Sequence, residues 1–143
     1  MVQYKKHNFN RQLDVSVSEN SGHGALQLAE SYPSHGGRMN LLFLCSQNKR
    51  RSLTAEKLFD GFQGHKARSA GTEQNSRIKV TPGLLGWADI IFCMEKKHLR
   101  RITEKYPDII AGKKVVCLYI SDDYEYMDRE LQELLKSYVC EYL

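Results

Sequence analysis

The stretch Leu41-Leu-Phe-Leu-Cys45-Ser-Gln-Asn-Lys-Arg-Arg51-Ser52 constrains this chain more than any other. Four apolar residues run into a cysteine, five residues follow, and an arginine and a serine open a segment of helical periodicity. Such a sequence folds as a buried strand that empties into a loop at a helix N-terminus. Backbone N–H groups converge there, and the helix dipole favours negative charge. A cysteine at the strand's end sits where those donors stabilise a thiolate. The arginine can fold back as a planar fork for two oxygens of a phosphate. A thiolate nucleophile facing a bound phosphoryl group follows from these residues. A core cysteine beside a solvated basic helix start would show the same Cys-to-Arg spacing. The preceding strand, Asn48 within the loop and Ser52 after Arg51 favour the chemical reading.

The rest of the chain supplies a scaffold of the right kind. Between Asn40 and Cys45 the apolar run is short and continuous, as in a central parallel strand covered on both faces. Ala55, Leu58, Phe59 and Phe62 then fall at i, i+3, i+4 and i+7, with Ser52 as N-cap and Gly64 as the stop. The Ser52 hydroxyl would lie beside the Cys45 sulfur. Lys66-Ala-Arg-Ser-Ala70 reads as a second strand, and residues 73–86 as a loop with one helical turn. Ala88-Asp-Ile-Ile-Phe-Cys-Met94 is a third buried strand. Leu99, Ile102 and Tyr106 mark one face of a helix that Pro107 closes. Its other face carries Lys96, Lys97, His98, Arg100 and Arg101, read as solvated surface in preference to a recruiting patch. Val115-Val-Cys-Leu-Tyr-Ile120 is a fourth strand, and a helix from Asp128 carries the stripe Leu131, Leu134, Leu135, Tyr138, Val139 and Tyr142. Strands alternating with helices predict an α/β fold, a parallel sheet with helices on both faces. Ligands bind such sheets beyond the carboxyl ends of the strands, where Cys45 and Asp122 both fall.

Composition sets the wider limits. A chain of 143 residues, 41% hydrophobic and 27% charged, is expected to hold one ordinary globular core. Its formal charge of +4 suits an anionic substrate but falls short of a dedicated nucleic-acid binder. Cys45, Cys93, Cys117 and Cys140 show no metal-ligand spacing, and Cys93 and Cys117 read as buried free thiols. That usage points to a reducing compartment, the cytoplasm. No apolar run approaches a membrane span, and the N-terminus lacks a signal peptide's apolar core. Residues 1–38 form a separate N-terminal extension, rich in Ser, Asn, Gly and His. It is expected to be a flexible arm, a loosely packed extension, or an upstream extension of the reading frame, since Met39 precedes the first strand. His7, His23 and His35 within it have no ligand-like spacing. Residues 39–143 form the domain proper.

The Cys45–Ser52 loop resembles the phosphate loop of the low-molecular-weight protein tyrosine phosphatases, whose pattern is Cys, five residues, Arg, Ser. Ser69-Ala-Gly-Thr72, Ala88–Glu95 and Asp122-Asp123-Tyr124 are similar, in the same order, to three further motifs of that family. The resemblance implies a three-layer fold with a four-stranded parallel sheet in the order 2-1-3-4, and neither metal nor organic cofactor. It implies a phosphatase (phosphoric monoester hydrolase) working through a phosphocysteine. Cys45 would be the nucleophile, Arg51 the phosphate clamp and Asp122 the general acid, with Asp123 as the alternative acid. Ser46, Gln47, Asn48, Lys49, Arg50 and Ser52 would complete the phosphate-binding loop. Asn48 would hold its shape, and Ser52 would donate to the thiolate. Tyr124 and Tyr126 would stand at the substrate rim.

The chain also departs from that pattern. Gln47 replaces the family's usual glycine, Lys49 and Arg50 replace small or apolar residues or a second cysteine, and Asp123 replaces a proline. The segment between Thr72 and Ala88 is shorter than in the family and is expected to lack one of its helices. These changes fall at the rim, where substrate identity is read. The expected partner is a phosphorylated protein carrying phosphotyrosine, or a small phosphomonoester, while Lys49 and Arg50 would also suit a nucleotide or RNA end. Two other functions are open to the same residues. One is an arsenate reductase of this fold, which needs two more cysteines able to reach Cys45. The other is a non-catalytic phosphoanion- or nucleic-acid-binding module, which needs neither thiol nor acid.

Overall fold

The structure, a computed structural model, describes residues 37–143. The expectations for residues 1–36, His7, His23 and His35 among them, lie outside the described residues. Four strands, β1 (Asn40–Cys45), β2 (Lys66–Gly71), β3 (Ile90–Cys93) and β4 (Lys114–Cys117), form one sheet in the order β2-β1-β3-β4. Every pairing is parallel. Between and after them run α1 (Arg51–Phe59), α2 (Pro82–Trp87), α3 (Lys96–Lys105), α4 (Pro107–Ala111) and α5 (Arg129–Val139). The order is the one expected, and it puts β1 in the interior of the sheet.

Because side chains alternate across a strand, β1 feeds two cores at once. Leu41, Phe43 and Cys45 join Ala55, Phe59, Leu131, Leu135 and Val139 on the side covered by α1 and α5. Leu42 and Leu44 join Leu85, Ile91 and Ile102 on the side covered by α2 and α3. Phe43 stacks on Phe92 at 5.0 Å between ring centroids and on Phe59 at 5.7 Å, so aromatic contact fixes α1 over β1. Burial on both faces explains why β1 reads as an uninterrupted apolar run. Cys93 and Cys117 are register partners on neighbouring strands, and both are buried thiols outside any disulfide. No helix among the described residues is long and apolar enough to cross a membrane.

Several element boundaries differ from expectation, each for a local reason. Helix α1 begins at Arg51, with Arg50 rather than Ser52 at the N-cap and no side-chain cap bond. It ends at Phe59, because Gly61 takes a left-handed backbone (φ 93°) before Gly64 is reached. Phe62 therefore leaves the stripe and packs edge-on against Phe59 from a short 3-10 turn. Between Thr72 and Ala88 the chain keeps a helix, α2, with Pro82 in its first turn and the Thr81 side chain accepting from Leu84 N–H. Pro107 lies beyond the end of α3 and also opens α4. The fourth strand stops at Cys117, since Tyr119 adopts φ 55°. Leu118 and Ile120 still donate to the carbonyls of Cys93 and Met94, so the path toward Asp122 stays tied to β3.

Candidate active site

The loop from Cys45 to Arg51 closes over the carboxyl end of β1. Its sharpest bend falls at Asn48, whose φ of 61° lies in the left-handed region that asparagine tolerates better than most residues. This bend lets Asn48 N–H point back to Cys45 Sγ at 3.3 Å. The fully buried Asn48 side chain fixes the bend by donating to Ser52 Oγ at 2.8 Å and Ser69 Oγ at 2.9 Å. Ser69 in turn donates to the Glu56 carboxylate. Since Ser52 Oγ accepts from Asn48, its own proton is available for Cys45 Sγ, 2.9 Å away. A relay of polar groups thus runs from Glu56 to the sulfur and aims two donors at it.

Arg51 is the largest fully buried side chain of the domain, 2% exposed. Its Nη1 donates to the Glu95 carboxylate and, at 2.8 Å, to the carbonyl of Ile120. Its Nε makes no hydrogen bond among the described residues. Asp122 Oδ1 stands 3.4 Å from that Nε, close enough for ion pairing but not aligned for a hydrogen bond. A buried guanidinium N–H in this state is a ready donor for an anion. Asp122 also pairs with Arg50 Nη2 at 3.5 Å. Asp123 turns elsewhere and accepts from Ser121 Oγ at 2.8 Å.

These groups enclose a pocket of about 520 Å³. Cys45, Ser46, Gln47, Lys49, Arg50, Arg51 and Asp122 line it, all of them picked out in the sequence, together with Glu73 and Lys97, which were not. Asn48 and Ser52 are fully buried and lie outside the lining. Tyr124 and Tyr126, expected at the rim, do not line it either. Tyr124 packs against the α1/α5 core and donates toward Glu130, while Tyr126 lies on the surface. The positive φ of Met127, held by its N–H to Thr54 Oγ1 at 2.8 Å, ends the loop that carries both tyrosines.

His98 corrects the reading of α3 as a simple basic face. It is fully buried, at the third position of the helix. Its Nδ1 accepts from Glu95 N–H at 2.9 Å, so Nε2 carries the proton and donates to Ser46 Oγ at 3.0 Å. Burial above all, with the Arg51, Lys97 and Arg101 charges, pushes its pKa down to about 3. His98 is therefore a neutral strut between the loop and Glu95, the residue that also holds Arg51. The readable signal was its place three residues after Glu95, the spacing of a reciprocal helix cap.

The loop is braced from outside as well. Gly71 lets β2 pass so near that a Cβ there would lie 2.6 Å from the Ser46 carbonyl. Thr72 N–H donates to the Cys45 carbonyl at 2.9 Å, and Arg77 Nε to the Asn48 carbonyl at 3.0 Å. The arrangement presents a sulfur, a buried guanidinium and a carboxylate to one small space, with the loop held from both sides.

No protein-family model and no curated protein sequence matches the chain. Solved structures do. The YwlE arginine phosphatase from Geobacillus stearothermophilus superposes with a TM-score of 0.58 at 20% identity, covering 73% of this chain and 92% of that one. The tyrosine phosphatase amsI from Erwinia amylovora gives 0.59 at 20% identity, over 73% and 93%. The low-molecular-weight protein tyrosine phosphatase from T. tengcongensis gives 0.59 at 21% identity, over 73% and 99%. The fold is that of the low-molecular-weight protein tyrosine phosphatases. In this fold Cys45 occupies the carboxyl end of the interior strand β1, with the Arg51 guanidinium and the Asp122 carboxylate beside it.

Proposed function

We propose that this chain is a cysteine-dependent phosphomonoester hydrolase. The observation that carries the reading is the convergence of two donors on Cys45 Sγ, from Ser52 Oγ and Asn48 N–H, beside an Arg51 Nε that makes no hydrogen bond among the described residues. Cys45 Sγ attacks phosphorus while the ester P–O bond breaks, and Asp122 gives its proton to the leaving oxygen. Water then attacks the phosphocysteine, Asp122 takes a proton from that water, and the S–P bond breaks to release inorganic phosphate. Arg51 and the loop N–H groups stabilise the equatorial oxygens in both steps. Burial favours phosphoryl transfer over an arsenate-reducing relay, since Cys93 and Cys117 are both wholly enclosed. A simple binding module would have no use for donors trained on a thiol. The substrate is a phosphorylated protein or a small phosphomonoester, and free cysteines suit work in the reducing cytoplasm.

Burst kinetics with p-nitrophenyl phosphate test this directly. A burst of one nitrophenol per active site, followed by steady turnover, is expected. Cys45→Ser should abolish turnover while keeping phosphate or vanadate binding. Wild-type turnover by Cys45→Ser would refute the covalent mechanism.

A further inference from the structure

Helix α3 carries a stripe that leads away from the pocket. Lys97, Arg101 and Lys105 recur at i, i+4 and i+8, which places them along one face at intervals of roughly 6 Å. Lys97 lines the pocket over Cys45. Arg101 and Lys105 line a second cavity of about 300 Å³, into which Thr72, Lys79 and Tyr106 also face. That is the lower end of the range for small-ligand sites. Its three cations oppose one carboxylate, Glu104, and Val80 and Ile102 supply an apolar wall.

The two cavities lie on either side of one turn. Thr72 lines the second and Glu73 the first, and their N–H groups donate to the carbonyls of Cys45 and Ser46. Arg101 Nη1 stands 3.9 Å from the Glu73 carboxylate, across the same wall. Thr72 Oγ1 is buried and has no hydrogen-bond partner among the described residues. A merely solvated helix face would need neither a concavity nor a buried, unsatisfied hydroxyl in its wall.

We propose that the second cavity is an anion subsite that receives a further phosphoryl group of the molecule whose first phosphoryl group is seated over Cys45. The inference rests on the hydrolase reading and narrows it: the substrate is a phosphomonoester with at least two phosphoryl groups. Arg101, Lys105 and Lys79 meet the second group's charge, Thr72 Oγ1–H donates to one of its oxygens, and Lys97 lies along the path between the two sites.

The test is a series of phenyl phosphates bearing a para alkylphosphonate on chains of increasing length, each paired with its neutral phosphonate diester. At one chain length the charged compound should show kcat/KM about tenfold above its neutral pair, through KM, as two charged contacts at a half-exposed site would give. The double variant Arg101→Gln/Lys105→Gln should lose that advantage and keep wild-type turnover of p-nitrophenyl phosphate. Equal kcat/KM within every pair, or an advantage that survives the double variant, overturns the subsite. Calorimetry with the corresponding non-hydrolysable phenylphosphonates reads the subsite without turnover, so inactivity toward aryl phosphates would count against the hydrolase and not against the subsite. Binding that weakens about tenfold in the double variant supports the subsite, and equal binding by both proteins overturns it.

Discussion

His98→Gln is the perturbation whose consequences the structure specifies most fully. His98 is enclosed between Glu95 N–H and Ser46 Oγ, and its pKa is held down at about 3. Below the ordinary histidine value of 6.5 the unfolded chain therefore binds a proton that the folded chain refuses. Stability contributed by the neutral ring is complete above that value and declines as pH falls toward 3. At about pH 5.5, one unit below the ordinary value, the loss is about 1.4 kcal/mol. Glutamine restores at most one of the two hydrogen bonds, so near neutral pH the variant should be less stable by about 1–3 kcal/mol, the cost of one buried group left unpaired. It has no proton to refuse, so the gap to wild type should shrink by about 1.4 kcal/mol between roughly pH 7.5 and 5.5. Urea unfolding at both pH values, with m unchanged, measures this. A gap that stays constant across the two conditions would show that the ring titrates as in water, and would remove it from the strut between Ser46 and Glu95.

Two further outcomes probe the proposed chemistry. Arg51→Lys should lower kcat/KM by about 2–4 kcal/mol of transition-state stabilisation, because an ammonium cannot keep Glu95 and the Ile120 carbonyl while also offering a second parallel donor; a loss below about tenfold would place Arg51 outside the reaction. Asp122→Asn should steepen the dependence of rate on leaving-group pKa, since poor leaving groups need the proton, whereas Asp123→Asn, whose carboxylate is turned to Ser121, should leave that slope unchanged; a steep slope in Asp123→Asn alone would exchange the two roles.

The parts of the fold that were legible in the sequence are those where one periodicity governs a whole element. The β1 run is apolar throughout because both its faces are covered, and the α5 stripe is regular because one helix meets one core. Boundaries set by single backbone conformations were not legible. Gly61 ends α1 before Gly64, and Tyr119 ends β4 three residues early; a tyrosine with φ 55° carries no residue-type signal at all. In the site, the loop residues could be read because their spacing along the chain is itself the geometry. Glu73 and Lys97 could not, because they reach the pocket from the turn after β2 and the first turn of α3, and only the sheet order brings those segments together. Tyr124 and Tyr126 follow Asp122 in sequence but not into the pocket, because Tyr124 packs against the core and Tyr126 turns to the surface.

Gln47 shows how the loop tolerates its departures. A glycine is required only where the backbone turns left-handed or passes too close for a Cβ. In this loop the left-handed residue is Asn48, and no other residue from Cys45 to Arg51 has a positive φ. The close passage is met from outside the loop, by Gly71 against the Ser46 carbonyl. Position 47 is therefore free to carry a side chain. Gln47 uses it to extend Nε2 toward Glu73 at 3.5 Å, while its carbonyl accepts from Arg77 N–H at 3.0 Å. Lys49 and Arg50 likewise add charge to the pocket wall without disturbing the bend, since the side chain of Asn48 is what anchors it. The loop's shape rests on Asn48, Ser52 and Ser69, and the chemistry of its rim on Gln47, Lys49 and Arg50. The two sets share no residue, so the rim can change its substrate without moving Cys45 or Arg51.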